Sequence, residues 1–332
     1  MKPVTIDTKW RYHGMETIIL ENNCLKAVIL PELGAKMLHL IHKPSDTEML
    51  WRNPHLTPHP LPCGSGYDDN FFGGWDELFP NDEPAMIDGK EYPDHGELWC
   101  QPWKYMIEER TDTHATVHLW CFGSVSAARM DKWITVNADR PVLKFRHKVT
   151  NLSDRPLDFL WKLHPALAIS PNHRIDLPPC TMLRGDEEFS DLAGEEQFLW
   201  PTCRGKHGGT VDLRKVPPPE SCSKEFLYGI DLTDGWCAMT DTARKVGFGL
   251  VFPKDIFTSV WLFSSYGGWR ENYVAILEPC TAYPFDLQEA ISNGTCAHLE
   301  GHSELECDIE AVLYEGFTSV SGIKKGGNIT GE

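Results

Sequence analysis

Three residues in this sequence pair an ionisable side chain with a setting that could use it: His95, His164 and Glu278. His95 lies in Tyr92-Pro93-Asp94-His95-Gly96-Glu97-Leu98-Trp99, between acids and beside a glycine, with Trp103 shortly after. An imidazole titrates near neutrality and can act as acid, base or hydrogen-bond donor. His164 closes Leu160-Trp161-Lys162-Leu163-His164-Pro165, where it is expected to end a strand and project into a cleft. Lys162, two residues earlier, shares its face. Glu278 follows five mainly apolar residues in Tyr273-Val274-Ala275-Ile276-Leu277-Glu278-Pro279. A carboxylate there is costly to bury without a partner or a task. Pro279 is expected to end the strand and fix where the acid points. In a partly dry cleft such an acid has a raised pKa and can serve as a base. Each residue also has a plain structural reading, as a silent core histidine or a paired interior acid.

A fourth cluster is Gly73-Gly74-Trp75-Asp76-Glu77-Leu78-Phe79-Pro80-Asn81-Asp82. Sugars present apolar C–H faces and a rim of hydroxyls. A tryptophan plate with carboxylates and an amide suits both, which makes Trp75, Glu77, Asn81 and Asp82 candidate sugar contacts. The alternative is a structural loop with Trp75 packed inside.

The elements that must position these residues read as strands. Leu305, Cys307, Ile309, Ala311 and Leu313 alternate with mainly acidic residues, the signature of a half-buried strand. Further strands are expected at residues 17–20, 25–30, 115–120, 132–136, 142–149, 157–163, 246–252 and 273–277. Turn signals separate them, and no long capped helix intervenes. This predicts an all-β, large antiparallel β-sandwich with few short helices, as a single domain over residues 1–332. Residues 53–97 and 170–219 are irregular, rich in proline and aromatics, and long enough to be functional loops. The tail, residues 324–332, is expected to fray.

Composition narrows the function classes. A net charge of −17 repels phosphate backbones, so no nucleic-acid partner is expected. No apolar stretch approaches the ~20 residues of a membrane span, so no membrane partner and a cytoplasmic location are expected. The 11 cysteines form no CxxC pair or zinc-spaced cluster and read as reduced thiols. Phosphate loops and dinucleotide fingerprints are likewise absent, which is consistent with the cofactor-free reaction that the family resemblance described below implies.

Taken in order, these clusters resemble the aldose 1-epimerase (galactose mutarotase-like) family. Val28-Ile29-Leu30-Pro31-Glu32-Leu33-Gly34-Ala35 resembles its N-terminal strand and Pro-x-x-Gly-Ala turn. His95-Gly96, His164-Pro165 and Glu278-Pro279 resemble its His-Gly, second histidine and Glu-Pro motifs. The resemblance runs on to Leu299-Glu300-Gly301-His302. It implies a β-supersandwich and a metal-independent exchange of the α and β anomers of a free sugar. Glu278 is then implied as the base that takes the O1 proton, and His164 as the acid that protonates the ring oxygen. His95 is implied as the residue that places that oxygen. Asp231 corresponds to a family aspartate that binds sugar hydroxyls.

The sequence also departs from the family. Where many members have Asn-Arg before the His-Gly motif, Asn81-Asp82 stands here without an arginine. Arg270, after Trp269, is a candidate replacement cation. A phosphosugar would need clustered cations at the mouth, and Arg52, Lys162 and Arg270 could serve only if folding joins them.

The leading expectation is an isomerase of carbohydrate metabolism whose partner is a small-molecule sugar, acting as a monomer or homodimer. A sugar-binding or sensing protein with little catalysis is the alternative, and a purely structural β protein a third. Catalysis is expected to place Glu278 and His164 on opposite sides of one sugar-sized space.

Overall fold

The computed structural model describes residues 4–332. Short alternating segments pair antiparallel into a twelve-stranded and an eight-stranded sheet. Their facing sides form one apolar core that includes Leu40, Leu119, Phe145, Leu163, Phe248 and Leu277. The chain is therefore an all-β sandwich, as its patterning predicts. The middle of the larger sheet carries the strands Trp75–Leu78, Lys162–Ala168, Tyr273–Cys280 and Ser259–Tyr266 as successive neighbours. The smaller sheet includes Ala128–Asn137, Val142–Asn151 and the long strand Glu304–Glu315. Among the described residues there is a single α-helix, Leu287–Asn293, whose N-terminal amides are capped by Asp286. Among the described residues no helix is long and apolar enough to cross a membrane.

Several local expectations change. Residues 157–163 form two strands, not one. Leu157–Phe159 pairs with Ala297–Leu299, while Lys162–Ala168 enters the large sheet. Pro165 and Pro279 end neither strand, which run on to Ala168 and Cys280. A proline removes one ladder donor but leaves an extended backbone extended. Trp75–Leu78, inside a segment read as irregular, is a central strand. All four of its residues are buried, so no alternation of polarity betrays it. Asn328–Gly331 pairs with Val320–Lys324, so the tail forms a hairpin instead of fraying.

Candidate active site

Period two decides which side chains reach the site. Successive residues of a strand face opposite sides of the sheet. In Lys162–Ala168, Leu163 and Leu167 enter the core between the sheets, and Lys162 and His164 face outward. In Tyr273–Cys280, Ala275 and Leu277 enter that core, and Ile276 and Glu278 face outward. The outward faces of these neighbouring strands form the floor of one cavity of about 350 Å³. That volume lies within the range of small-molecule sites.

Register brings the pair together. Lys162 pairs with Cys280 and Ala166 with Ile276, which sets His164 directly opposite Glu278. The Thr281 N–H donates to the Trp161 carbonyl at 3.0 Å. Alternation from that bond makes His164–Glu278 a pair without backbone hydrogen bonds, the kind whose side chains stand closer. Pro165 and Pro279 fall opposite Leu277 and Leu163 and remove one ladder donor on each side of the pair. His164 Nε2 lies 3.8 Å from Glu278 Oε2. The two groups therefore stand side by side on one wall, not on opposite sides of the space as expected, because neighbouring strands carry them.

Lys162 Nζ lies 3.0 Å from Glu278 Oε2 and 2.6 Å from Asp82 Oδ1. Both oxygens are buried, and neither has an aligned hydrogen bond. Buried polar atoms are normally satisfied, so capacity is left here for a ligand. Burial pushes the Glu278 carboxyl up to about 7, with Lys162 opposing the shift. Burial also works against the Lys162 ammonium, but Asp82 and Glu278 outweigh it and raise its pKa. Burial, reinforced by Lys162, His95 and Lys36, holds His164 well below the usual histidine range. His95 is only partly buried, and although desolvation lowers its pKa, Asp82 and Asp94 outweigh that and raise it.

His95 sits at a left-handed backbone position, with its Nδ1 2.7 Å from Asp94 Oδ1. Gly96 follows at φ 74°, and a Cβ there would stand 2.1 Å from the Phe79 carbonyl oxygen. Only glycine fits, and this fixes where His95 enters the cavity. Tyr67 stacks on His95 with ring centroids 4.2 Å apart, and its hydroxyl lies 3.1 Å from His164 Nδ1.

Five of the residues singled out in the sequence meet at this cavity: His95, His164, Glu278, Lys162 and Asp82. The others lie elsewhere. Trp75 packs in the inter-sheet core against Phe145 and Phe248. Glu77, on the same inward face, accepts 2.9 Å contacts from Lys132 Nζ and His147 Nε2 of the opposite sheet. It is a buried inter-sheet ion cluster, not a sugar contact. Asn81 lies behind the cavity, where its amide ties together the Glu83 and Pro93 carbonyls, each at 2.7 Å. Asp231 is exposed in the turn after the strand Ser223–Ile230, away from the lining. Arg270 points off the rim to Asp69 at 2.8 Å, and its neighbour Trp269 lines the cavity instead. Arg52 does not reach the cavity, so no cluster of cations forms at the mouth.

Sequence reasoning missed Tyr67, Phe71, Asp186, Phe189, Phe263 and Trp269 among the lining residues. The first four come from the two irregular segments, residues 53–97 and 170–219, whose length and aromatic content were the available signal. Phe263 lies on a central strand where every apolar side chain reads as core.

No protein-family model matches the chain. Its fold, however, recurs among solved structures. A Klebsiella pneumoniae protein whose name proposes an aldose 1-epimerase superposes with a TM-score of 0.75 at 14% identity, over 94% of this chain and 83% of that one. A galactose mutarotase-like protein from Clostridium acetobutylicum gives 0.68 at 14% identity, over 95% and 99% of the two chains. A galactose mutarotase related enzyme from Lactobacillus acidophilus gives 0.61 at 15% identity, over 90% and 97%. The fold is thus the galactose mutarotase-like β-sandwich. At these identities the likeness defines the architecture alone.

Proposed function

We propose that the protein is a mutarotase that interconverts the α and β anomers of a free sugar at the His164–Glu278 pair. The observation that carries this reading is the 3.8 Å separation of His164 Nε2 and Glu278 Oε2 on the floor of an aromatic-lined cavity. Ring opening needs one group to take the proton of the anomeric hydroxyl while another protonates the ring oxygen. Both oxygens are bonded to the same carbon and lie closer together than a hydrogen bond is long. Two adjacent groups on one wall can therefore reach both at once. After rotation about C1–C2, reversal of the two transfers closes the other anomer.

The surroundings favour the same chemistry. Phe71, Phe263 and Trp269 offer faces for sugar C–H groups. His95 and Lys162 can donate to hydroxyl or ring oxygens. A carboxyl group near 7 is matched to proton exchange at neutral pH.

The test is the optical rotation or NMR anomer ratio of freshly dissolved sugars. The wild type is expected to accelerate equilibration of at least one neutral sugar. Glu278→Gln should lose about 10²–10⁴ of that rate while still binding it. Sugar binding without any acceleration by the wild type overturns the enzyme in favour of a binding protein.

A further inference from the structure

The cavity is longer than one sugar ring requires. Ala166, Ile276, Phe263 and Phe226 pair in turn across four neighbouring strands of the large sheet, and the last three line the cavity. Three inter-strand spacings span about 14 Å. A single six-membered ring with its hydroxyls covers little more than one of them. His164 and Glu278 stand at one end of this row, on the first two strands. The Phe71 ring adjoins them, with its centroid 5.9 Å from that of His164 and 5.8 Å from that of Trp269. Trp269 leads to Phe263 at 5.4 Å, and Phe263 to Phe189 at 4.7 Å. Phe226, Phe285, Lys224 and Asp186 line the far end.

The far end is a fixed wall. The Gly185 N–H donates to the Phe226 carbonyl and the Asp191 N–H to the Lys224 carbonyl, each at 2.9 Å, so the segment between them is tied to the strand Ser223–Ile230. A Cβ on Gly185 would stand 2.8 Å from the Phe226 ring, so a side chain there would crowd it. Phe189 is thereby held against the cavity, and the Lys224 ammonium rests on its ring, 4.6 Å from the centroid. The half-buried Phe189 and Phe285 offer apolar faces for C–H groups, and Lys224 and Asp186 offer polar groups for hydroxyls. That is the combination a sugar needs, repeated away from the His164–Glu278 pair.

We propose that this end of the cavity is a second sugar subsite, and that the substrate is the reducing end of a disaccharide or longer glycan. The inference rests on the mutarotase reading above and names its substrate class. The anomeric carbon must stay free at the pair, so a second unit can be attached only elsewhere on the ring. With the C1–O5 edge at the pair, C3 and C4 form the opposite edge. A sugar joined through O3 or O4 therefore extends along the floor toward Phe263, Phe226 and Phe189. Its apolar face lies on the Phe189 and Phe285 rings, and its hydroxyls reach Lys224 and Asp186. No bond to this unit is made or broken. It contributes binding energy away from the reacting carbon, which raises kcat/KM. Other features of the molecule carry less. The Tyr67 hydroxyl, 2.9 Å from Asp76 Oδ2 and 3.1 Å from His164 Nδ1, belongs to the site already described. The aromatic ridge on the outer face of the smaller sheet has its Trp133 ring already covered by His118 and Arg146.

The proposal is tested by comparing glucose with disaccharides whose reducing ring is glucose: maltose, cellobiose and lactose, joined through O4, and laminaribiose, joined through O3. Anomer equilibration of at least one disaccharide should show a kcat/KM about tenfold or more above that of glucose. Phe189→Ala and Lys224→Met should each bring that ratio back toward one. Isothermal titration calorimetry of the same sugars should show the same preference in binding. Turnover of glucose with no disaccharide preferred, or a preference that both variants keep, overturns the second subsite and leaves the mutarotase reading standing. A disaccharide bound about tenfold more tightly than glucose, with no acceleration of any sugar, overturns the mutarotase reading and leaves the subsite as that of a binding protein.

Discussion

At the scale of single residues, the pH dependence turns on Glu278, whose carboxyl burial pushes up to about 7. With Glu278 as the base that the family resemblance implies, kcat/KM should rise as pH rises through about 7 and its proton is lost. Lys162 opposes the rise in the Glu278 pKa. Lys162→Met should therefore raise it further and move that rise to higher pH, which a pH–rate profile of the variant reads directly. His95, His164 and Glu278 were legible in the sequence because each is a titratable residue beside a conformational marker, Gly96, Pro165 or Pro279. Tyr67 was not. A tyrosine in Gly66-Tyr67-Asp68-Asp69 has no local signal, and its importance comes from Asp76 and His164, which are distant in sequence.

At the scale of elements, the strand Trp75–Leu78 shows what a sequence pattern hides. Its composition suggested a sugar platform, yet Trp75 and Glu77 face inward, and Asp76 alone of its polar residues serves the site. The sequence supplied the acids, but facing is set by pairing with Lys162–Ala168, through Glu77–Leu163 and Asp76–His164. The buried Glu77 is consequently a stability residue. Burial alone would raise its pKa, but His147 and Lys132 outweigh it and hold the carboxyl far below its ordinary value. A depressed carboxyl contributes stability that is present above its unfolded pKa of about 4.5 and is lost as pH falls below it. Glu77→Leu should cost about 3–5 kcal/mol in denaturant unfolding at neutral pH, because Lys132 is left buried without its partner. Glu278→Gln, by contrast, removes an unsatisfied buried acid and should not lower stability there.

At the scale of the whole molecule, the period-two segments made the all-β sandwich legible, since two sheets bury their facing sides whatever their order. The order itself, which seats strands from the first, middle and last thirds of the chain side by side, is a long-range result that no local window contains. Charge at this scale bears on the substrate. The cavity is lined by Asp68, Asp82, Glu83, Asp186 and Glu278 against Lys162 and Lys224, and the chain carries a net charge of −17. A sugar 6-phosphate should therefore have a kcat/KM at least about tenfold below that of its parent sugar, with Asp186→Asn narrowing the gap. The two prolines beside the His164–Glu278 pair have a mechanical consequence. With Pro165 and Pro279 in place, the backbone seam between the central strands lacks a stitch on each side of His164 and Glu278. Each strand is held here from its other side, by Trp75–Leu78 and by Ser259–Tyr266, so the ladder is thinned only along this one seam. Parting of the two side chains to admit a sugar's paired oxygens is therefore expected to leave the remaining ladder between these strands intact.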